Sequence, residues 1–471
     1  MTKKSNVLLI RTPSSQGELT KTSLSQHPIN LLYLAAYIRQ YGHKVKILDL
    51  EVESLDLKKI SDINPDVVGI TAMTPLIKKA SKIATKIKSF LENKAIFVIG
   101  GNHATALPSE TLKEFPVFDI AVVGEGEQTL KEICDGRRFK DTLGIAYRDK
   151  KGVLVNKRRP LIENLDSLPF PARDLIDLKK YRGASTPGLS REFLNITELY
   201  INRGCNWGLC TFCASMLMHC KFRMRSIDNV MKEIEECINK YGINHFTVDD
   251  DTLTTSKERT LEFCRKIKKY RVGWDCDSRV TIDKEVILAM KDAGCKKIAF
   301  GVESGSPRIL GLIKKGISIS QIENVFDWCR EAGLESSAFF IIGSHPDETW
   351  KDLDATKRLI KKIKPDFITA SIVVPYPGTE VRTQMLEKTL VYSNDWSTYA
   401  IYNSLPTWRT TNFSSEDLIK IQRDMTKSFY MRPAYILKRM LKIRSFNEIK
   451  YWARAFVGVR KLILKGGGKN V

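Results

Sequence analysis

The chain predicts an α/β protein: a doubly wound parallel sheet at the N-terminus, then a run of βα units that suits a partial (β/α)6 barrel, then a helical, basic C-terminal region. Three observations lead there. Short apolar runs alternate with amphipathic helical runs over residues 7–123 and again over residues 199–372. A cysteine loop, Arg203-Gly204-Cys205-Asn206-Trp207-Gly208-Leu209-Cys210-Thr211-Phe212-Cys213, follows the first strand of the second series. From Arg432 to Lys469 the composition changes, with eleven Lys or Arg against one acid, Glu448.

Length and composition set the frame. At 471 residues the chain has room for roughly two to four domains. No apolar run is long enough to span a bilayer. The start, Met1-Thr2-Lys3-Lys4-Ser5-Asn6, leads directly into a strand pattern without an apolar signal core, which predicts a cytoplasmic protein. Ten scattered cysteines do not make a disulfide scaffold and suggest a reducing compartment. The net charge of +22 favours an anionic partner: nucleic acid, a membrane surface or a phosphorylated substrate.

The first unit is expected over residues 1–140, with strands at 7–10, 45–48, 67–70, 96–99 and 120–123. Helical faces lie between them, at 28–40 and 78–91. Doubly wound sheets bind ligands outside the carboxyl ends of their strands. The loops to watch are therefore Arg11-Thr12-Pro13, Thr71-Ala72-Met73-Thr74-Pro75, Gly100-Gly101-Asn102-His103 and Gly124-Glu125-Gly126-Glu127. Gly100-Gly101 permits close approach of a ligand to the backbone, with a plain tight turn as the alternative. Residues 141–195 read as a connector, held extended by Pro169 and Pro171, to which no chemistry is assigned.

The barrel is expected over residues 196–395, with strands at 199–202, 245–248, 273–276, 297–300, 337–342 and 367–372. Helices fall between them at 227–241, 257–269, 284–293, 318–332 and 349–363. Barrel chemistry sits at the C-terminal strand ends, where the notable polar residues fall. Asp249-Asp250-Asp251 follows the second strand and either accepts ligand hydrogen bonds or caps a helix. Arg279 follows the third and can pair with a carboxylate or form a structural ion pair. Gly301-Val302-Glu303-Ser304-Gly305, Ile341-Ile342-Gly343 and Pro375-Tyr376-Pro377-Gly378-Thr379 follow the next three. Tyr376 is the one candidate for a residue facing the reaction; the catalytic residues are otherwise unknown.

Cys205, Cys210 and Cys213 put three thiolates on one short loop. A four-iron cluster normally takes four cysteines. Three leave one iron open, as catalytic metal sites do. Phe212 shields such a cluster, and Gly208 absorbs the turn. A zinc knuckle, with His219 or Cys220 as fourth ligand, and plain core cysteines stay open. Cys237, Cys264, Cys276, Cys295 and Cys329 occur singly and read as buried structural thiols.

This loop resembles that of the radical S-adenosylmethionine (SAM) superfamily. Four residues separate Cys205 from Cys210, where the family usually has three. The resemblance implies a cluster whose open iron holds SAM and cleaves it reductively to a 5′-deoxyadenosyl radical. It further implies SAM contacts at Asp250, Asp251, Arg279, Glu303, Ser304, Gly305 and Gly343. The first unit resembles the Rossmann-like cobalamin (B12) domain that precedes many such enzymes. The matching pieces are Pro28-Ile29-Asn30-Leu31-Leu32-Tyr33-Leu34-Ala35-Ala36, Gly42-His43-Lys44-Val45, Gly100-Gly101-Asn102-His103-Ala104-Thr105 and Val123-Gly124-Glu125-Gly126-Glu127. That likeness implies cobalamin contacts at Thr71, Met73, Gly100, Gly101, His103, Gly124 and Glu125. The Asp-x-His-x-x-Gly loop of cobalt-ligating domains is absent, since the first strand ends in Arg11-Thr12-Pro13-Ser14-Ser15. Methylthiotransferases carry three cysteines in this region; here there is only Cys134.

The resemblance implies a cobalamin-dependent methyltransferase acting on an unactivated carbon, reduced by a flavodoxin or ferredoxin. A radical cyclase or rearrangement enzyme is the alternative within the family. A basic membrane- or nucleic-acid-binding protein with a structural metal site is the alternative outside it. The C-terminal region, residues 396–471, opens with Trp396, Tyr399, Tyr402 and Trp408, which could roof the barrel. Phe429-Tyr430-Met431-Arg432-Pro433 resembles a run in relatives acting on lipids and pigments. A basic helix with an apolar face can lie on an anionic membrane, which points to a lipid or isoprenoid substrate and peripheral membrane contact. A solvated helix packed on the barrel is the plainer reading. Nucleic acid is disfavoured, because no recognised module accompanies the charge.

Overall fold

The computed structural model describes residues 4–14, 26–92, 94–181, 195–401 and 405–441. The first unit is a seven-stranded sheet built from β1 (Asn6–Arg11), β2 (Lys44–Asp49), β3 (Val67–Thr71), β4 (Ile96–Gly100), β5 (Ile120–Val122), β6 (Ile145–Asp149) and β7 (Gly152–Val155). Their order is β2-β1-β3-β4-β5-β6-β7. The first five are parallel, and their apolar runs are buried on both faces by helices. The chain leaves β1 to one side for β2 and returns to the other for β3. That reversal opens a crevice at the carboxyl ends of β1 and β3.

The expected connector starts later than its composition indicates. Residues 145–155 form an antiparallel hairpin that extends the sheet beyond β5. Its turn is local chemistry: Asp149 Oδ1 accepts from the Lys151 amide at 2.7 Å, and Gly152 follows with φ of 121°. Lys150, Lys151 and Lys157 flank β7, and its solvent-facing positions mark it as an edge strand.

The second unit holds β8 (Ile196–Leu199), the short antiparallel pair β9 (Asn202–Arg203) and β10 (Arg223–Met224), then β11 (His245–Val248), β12 (Gly273–Ser278), β13 (Cys295–Glu303), β14 (Glu335–Ile342) and β15 (Phe367–Ile372). Six of these make a parallel sheet in simple sequence order, from β8 through β11 to β15. Its two edge strands do not pair, so the barrel is partial. Alternation decides which side chains face inward. Phe246, Val248, Cys276, Ile298, Phe300, Ala338 and Phe340 turn outward to the helices and enter the core. Their neighbours Thr247, Asp275, Lys297 and Glu335 share one register row on the inward face. Closed barrels fill that space with branched apolar residues; this one keeps it polar.

Helix Ser415–Tyr430 covers the outer face of β15, with Gln422 Nε2 donating to the Ala370 carbonyl at 2.9 Å. The aromatic stretch packs between the barrel and the first unit. Trp396, Tyr399 and Trp408 are buried, and Trp396 Nε1 donates to Glu114 of the first unit at 2.9 Å. These rings stitch the two units together, because a buried indole N–H needs an acceptor and Glu114 supplies one. One apolar core runs from the first sheet into the barrel. Tyr402 and the basic segment 442–471 lie outside the described residues. No helix of the described residues is long and apolar enough to cross a membrane.

Arg173, in the connector, is an anchor that composition did not reveal. It is 2% exposed and donates to Thr197, to the Glu198 carbonyl and to Glu233 at 2.8 Å. Burial alone would lower its pKa; the Glu233 carboxylate raises it and keeps the pair ionised.

Candidate active site

The strand ends of the two sheets face each other across a cavity of about 430 Å³. Six of the seven residues expected to contact cobalamin line it: Thr71, Met73, Gly100, Gly101, Gly124 and Glu125. The seventh, His103, does not. It is 1% exposed, packed against Trp396 at 5.2 Å and close to Thr74. Burial lowers its pKa from 6.5 to about 4. The folded chain thus keeps His103 neutral where the unfolded chain takes a proton. Stability is expected to fall as pH drops from 6.5 towards about 4, by roughly 3 kcal/mol across that window. Urea unfolding at the two ends of the window should show that loss in the wild type and lack it in His103→Gln.

The cavity fits a large apolar-faced ring system. Leu31 and Leu34 from helix Ile29–Arg39, with Val98, Val122 and Leu130, form an apolar wall. A Cβ on Gly100 would meet nothing within 4 Å, so the glycine holds open a cradle a side chain would fill. Gly101 plays a different part: its φ is 99°, and a Cβ would lie 2.8 Å from the Ala72 carbonyl oxygen.

Glu125 is a clamp. Its carboxylate accepts from Arg203 Nη1 at 2.9 Å, from Arg223 Nη1 and Nη2 at 3.0 and 2.8 Å, and from the Ile162 amide at 3.1 Å. Arg203 also reaches Glu127 at 2.6 Å. Burial pushes the Glu125 carboxyl up, but its basic neighbours hold it well below the usual carboxylate range. His219 Nδ1 stands 3.7 Å away, too far for a hydrogen bond, so the two arginines carry the effect. Asn102 and Asp249, from loops the sequence marked, also line the cavity, as do Asn30, Tyr200 and Arg203, to which the sequence assigned no ligand contact. Arg203 carried the best signal, as it leads directly into the cysteine loop.

Gly204 and Gly208 have φ of 85° and 66°, the left-handed bends that turn the loop beside β9. Cys205 and Cys210 are half-buried and Cys213 is exposed. Burial raises Cys210, while Lys315 and Arg279 pull it down. Two cations, Lys315 and Arg279, thus stand near Cys210. Among the described residues no three or more His, Cys, Asp or Glu converge on a single metal ion.

The residues expected to contact SAM gather at this end of the barrel, but several face other partners. Asp250 accepts from the Ile201 and Asn202 amides at 2.8 and 3.0 Å and from Asn202 Nδ2 at 2.9 Å. Its carboxylate holds β9 in place, and burial pushes its pKa up to about 8. Asp251 is exposed and paired with Ser215. Arg279 donates to the Lys315 carbonyl at 2.7 Å rather than standing free. Ser304 is fully buried, accepting from the Ser306 amide at 3.2 Å. Gly305 does permit a close approach, but of helix Trp350–Ile363: a Cβ would lie 2.6 Å from the Ala355 carbonyl oxygen. Gly343 has φ of 69°, donates to Glu348, and packs under Thr410 and Leu418. Glu303 stands apart. It is a non-glycine residue at φ 64°, where β13 bulges, and its carboxylate pairs with Lys315 at 2.7 Å. Such strain persists where the surroundings over-determine it, often at a functional site. Tyr376 is half-buried, its hydroxyl pushed up to about 12 by burial, and it does not line the cavity.

Comparison with known proteins agrees with this geometry. The B12 binding domain model matches residues 19–134 and the radical SAM superfamily model matches residues 199–360. An uncharacterised methyltransferase of Pyrococcus horikoshii is 34% identical over 452 residues, covering 93% of this chain and 95% of the relative. The anaerobic magnesium-protoporphyrin IX monomethyl ester cyclase of Rubrivivax gelatinosus is 25% identical, covering 93% and 79%. The fold matches that of TsrM, a radical SAM methyltransferase of Kitasatospora setae solved with cobalamin and a four-iron, four-sulfur cluster. The TM-score is 0.71 at 16% identity, covering 97% of this chain and 99% of that one.

Proposed function

This chain belongs to the radical SAM superfamily, in the branch that carries an N-terminal B12-binding domain, and from that premise we propose that it transfers a methyl group to an unactivated carbon of a small molecule. It is an enzyme whose cofactors are a four-iron, four-sulfur cluster, SAM and cobalamin. Bound together, they supply a carbon radical and a transferable methyl group. The observation that carries the reading is the cavity between the two strand-end sets. It has the glycine cradle of β4 on one side and the Arg203-Gly204 entry to the cysteine loop on the other.

In this reading Cys205, Cys210 and Cys213 hold the cluster. Glu303 and Asp251 orient SAM, Glu303 from a backbone that its Lys315 pair keeps in place. Thr71, Met73, Gly100, Gly101 and Gly124 seat the corrinoid. Glu125, Arg203 and Arg223 fix the distance between the seats and close one wall against water. The electron donor is a flavodoxin or ferredoxin. A lipid or isoprenoid substrate is supported by Met73 and Met218 on the cavity lining and by the basic, apolar-interleaved C-terminal sequence, which would also contact a membrane surface. Ring closure is the second reading, favoured by the likeness to the cyclase. The reading as a non-enzymatic basic binding protein is set aside, because both family models match.

The test is anaerobic purification followed by iron, sulfide and corrinoid analysis, then incubation with reductant and SAM. We expect 5′-deoxyadenosine, lost in the triple Cys→Ala variant at 205, 210 and 213. Product mass separates the two chemistries: one added methyl supports transfer, loss of two hydrogens supports ring closure. Zinc in place of iron, with no SAM cleavage, would sink both.

A further inference from the structure

Four residues separate Cys205 from Cys210, and the structure shows where the additional length goes. The Trp207 indole leaves the loop and lies in a slot on residues 313–316, the turn after helix Pro307–Leu312. Its Nε1 donates to the Lys314 carbonyl at 2.7 Å. The slot exists because position 316 is glycine: a Cβ there would lie 2.1 Å from the indole ring. Arg279, from the end of β12, stacks its guanidinium 4.9 Å from the ring and donates to the Lys315 carbonyl at 2.7 Å. The same turn grips the loop again further on, where the Thr211 amide donates to the Ile313 carbonyl at 3.2 Å. Lys315 lies 6.0 Å over the Phe212 ring and is ion-paired with Glu303 at 2.7 Å.

We propose that Trp207 is a positioning residue for the iron–sulfur cluster, using the lengthened loop to key the cysteines into the Gly316–Arg279 slot. The turn at 313–316 then sets two things at once: the height of the cysteine loop and the position of Glu303 at the end of β13. A packed aromatic with one hydrogen bond and one stacked cation is rigid, whereas a glycine-bearing loop without it is free to slide. Loosening the key should therefore disturb the cluster and its response to SAM together, and leave the fold intact. The proposal rests on the reading that this loop holds a cluster.

The experiment compares wild type with Trp207→Ala, Trp207→Phe, Gly316→Val and, as control, Leu209→Ala, an exposed loop residue. Each is reconstituted anaerobically, desalted, and assayed for iron per chain, for the electron paramagnetic resonance of the reduced cluster with and without SAM, and for thermal unfolding of the apoprotein. Trp207→Ala is expected to unfold near the wild-type temperature, lose several-fold in retained iron, and show a signal that no longer shifts with SAM. Trp207→Phe should restore most of both. Gly316→Val should reproduce the defect with every loop residue unchanged. Should Gly316→Val fail to fold, the contrast of Trp207→Ala with Leu209→Ala decides alone. Wild-type iron and a wild-type SAM shift in Trp207→Ala would overturn the proposal, as would equal losses in Leu209→Ala. No cluster in the wild type would instead overturn the functional reading beneath it.

Discussion

Replacing Gly100 with leucine is expected to abolish corrinoid retention while the fold and the iron–sulfur loop survive. Gly100 ends β4 with an ordinary backbone, lines the cavity, and has no atom within 4 Å of where a Cβ would stand. A side chain there costs the free protein little and occupies space a ligand needs. Overpacking a filled site costs typically about 1–3 kcal/mol, or roughly 5- to 150-fold in affinity. A leucine projecting into a rigid cradle should lie at or beyond the upper end. Corrinoid absorbance after reconstitution and gel filtration measures it, with iron content as the internal control. Full corrinoid loading in Gly100→Leu would place the corrinoid elsewhere. The neighbouring Gly101→Ala is expected to fail differently, by destabilising the fold, because φ of 99° and the Ala72 carbonyl at 2.8 Å exclude a Cβ.

Glu125→Ala should be among the most destabilising single changes at the seam between the units. It removes the acceptor for four donors, one from Arg203, two from Arg223 and the Ile162 amide, and leaves Arg223, 4% exposed, without its carboxylate. Breaking a buried pair by deleting one partner costs about 3–5 kcal/mol, read as a drop in unfolding free energy in urea. The network has a pH signature of definite sign. The folded-state pKa of Glu125 lies well below its ordinary value of 4.5. Its contribution is therefore complete above pH 4.5 and is lost as pH falls below that value and towards the folded-state pKa. Wild type should lose stability over that acid range more steeply than Glu125→Gln. Equal slopes would mean the carboxylate does not carry the seam.

Much of the architecture was legible because it is written in local periodicity. The helix at Ile227–Tyr241 and the strand Phe367–Ile372 coincide with their expected bounds. Helices 257–269 and 349–363 moved by a residue or two, as capping geometry trims the ends. The cysteine loop and the order of strand-end residues were legible for the same reason. The hairpin at 145–155 was not, because its second strand, β7, is a solvated edge with no buried face to leave a pattern, and the buried run of its first strand is only Ile145-Ala146-Tyr147.

At the site, residue type and position along the strand placed Glu303, Gly100 and Glu125 at the right end of the right strands. The sequence alone determined that three thiolates share a loop, that two parallel-sheet units carry it, and that their strand ends hold the polar groups. Only the tertiary structure decided what each group faces. Asp250 holds the backbone of β9, Arg279 braces Trp207, Gly305 makes room for a helix, and His103 is walled in by Trp396. The physical reason is distance along the chain. Strand and helix periods repeat within a few residues. The partners that set a buried charge lie far apart in sequence, as Arg203 lies from Glu125 and Trp207 from Lys314, and they meet only once the sheets have packed.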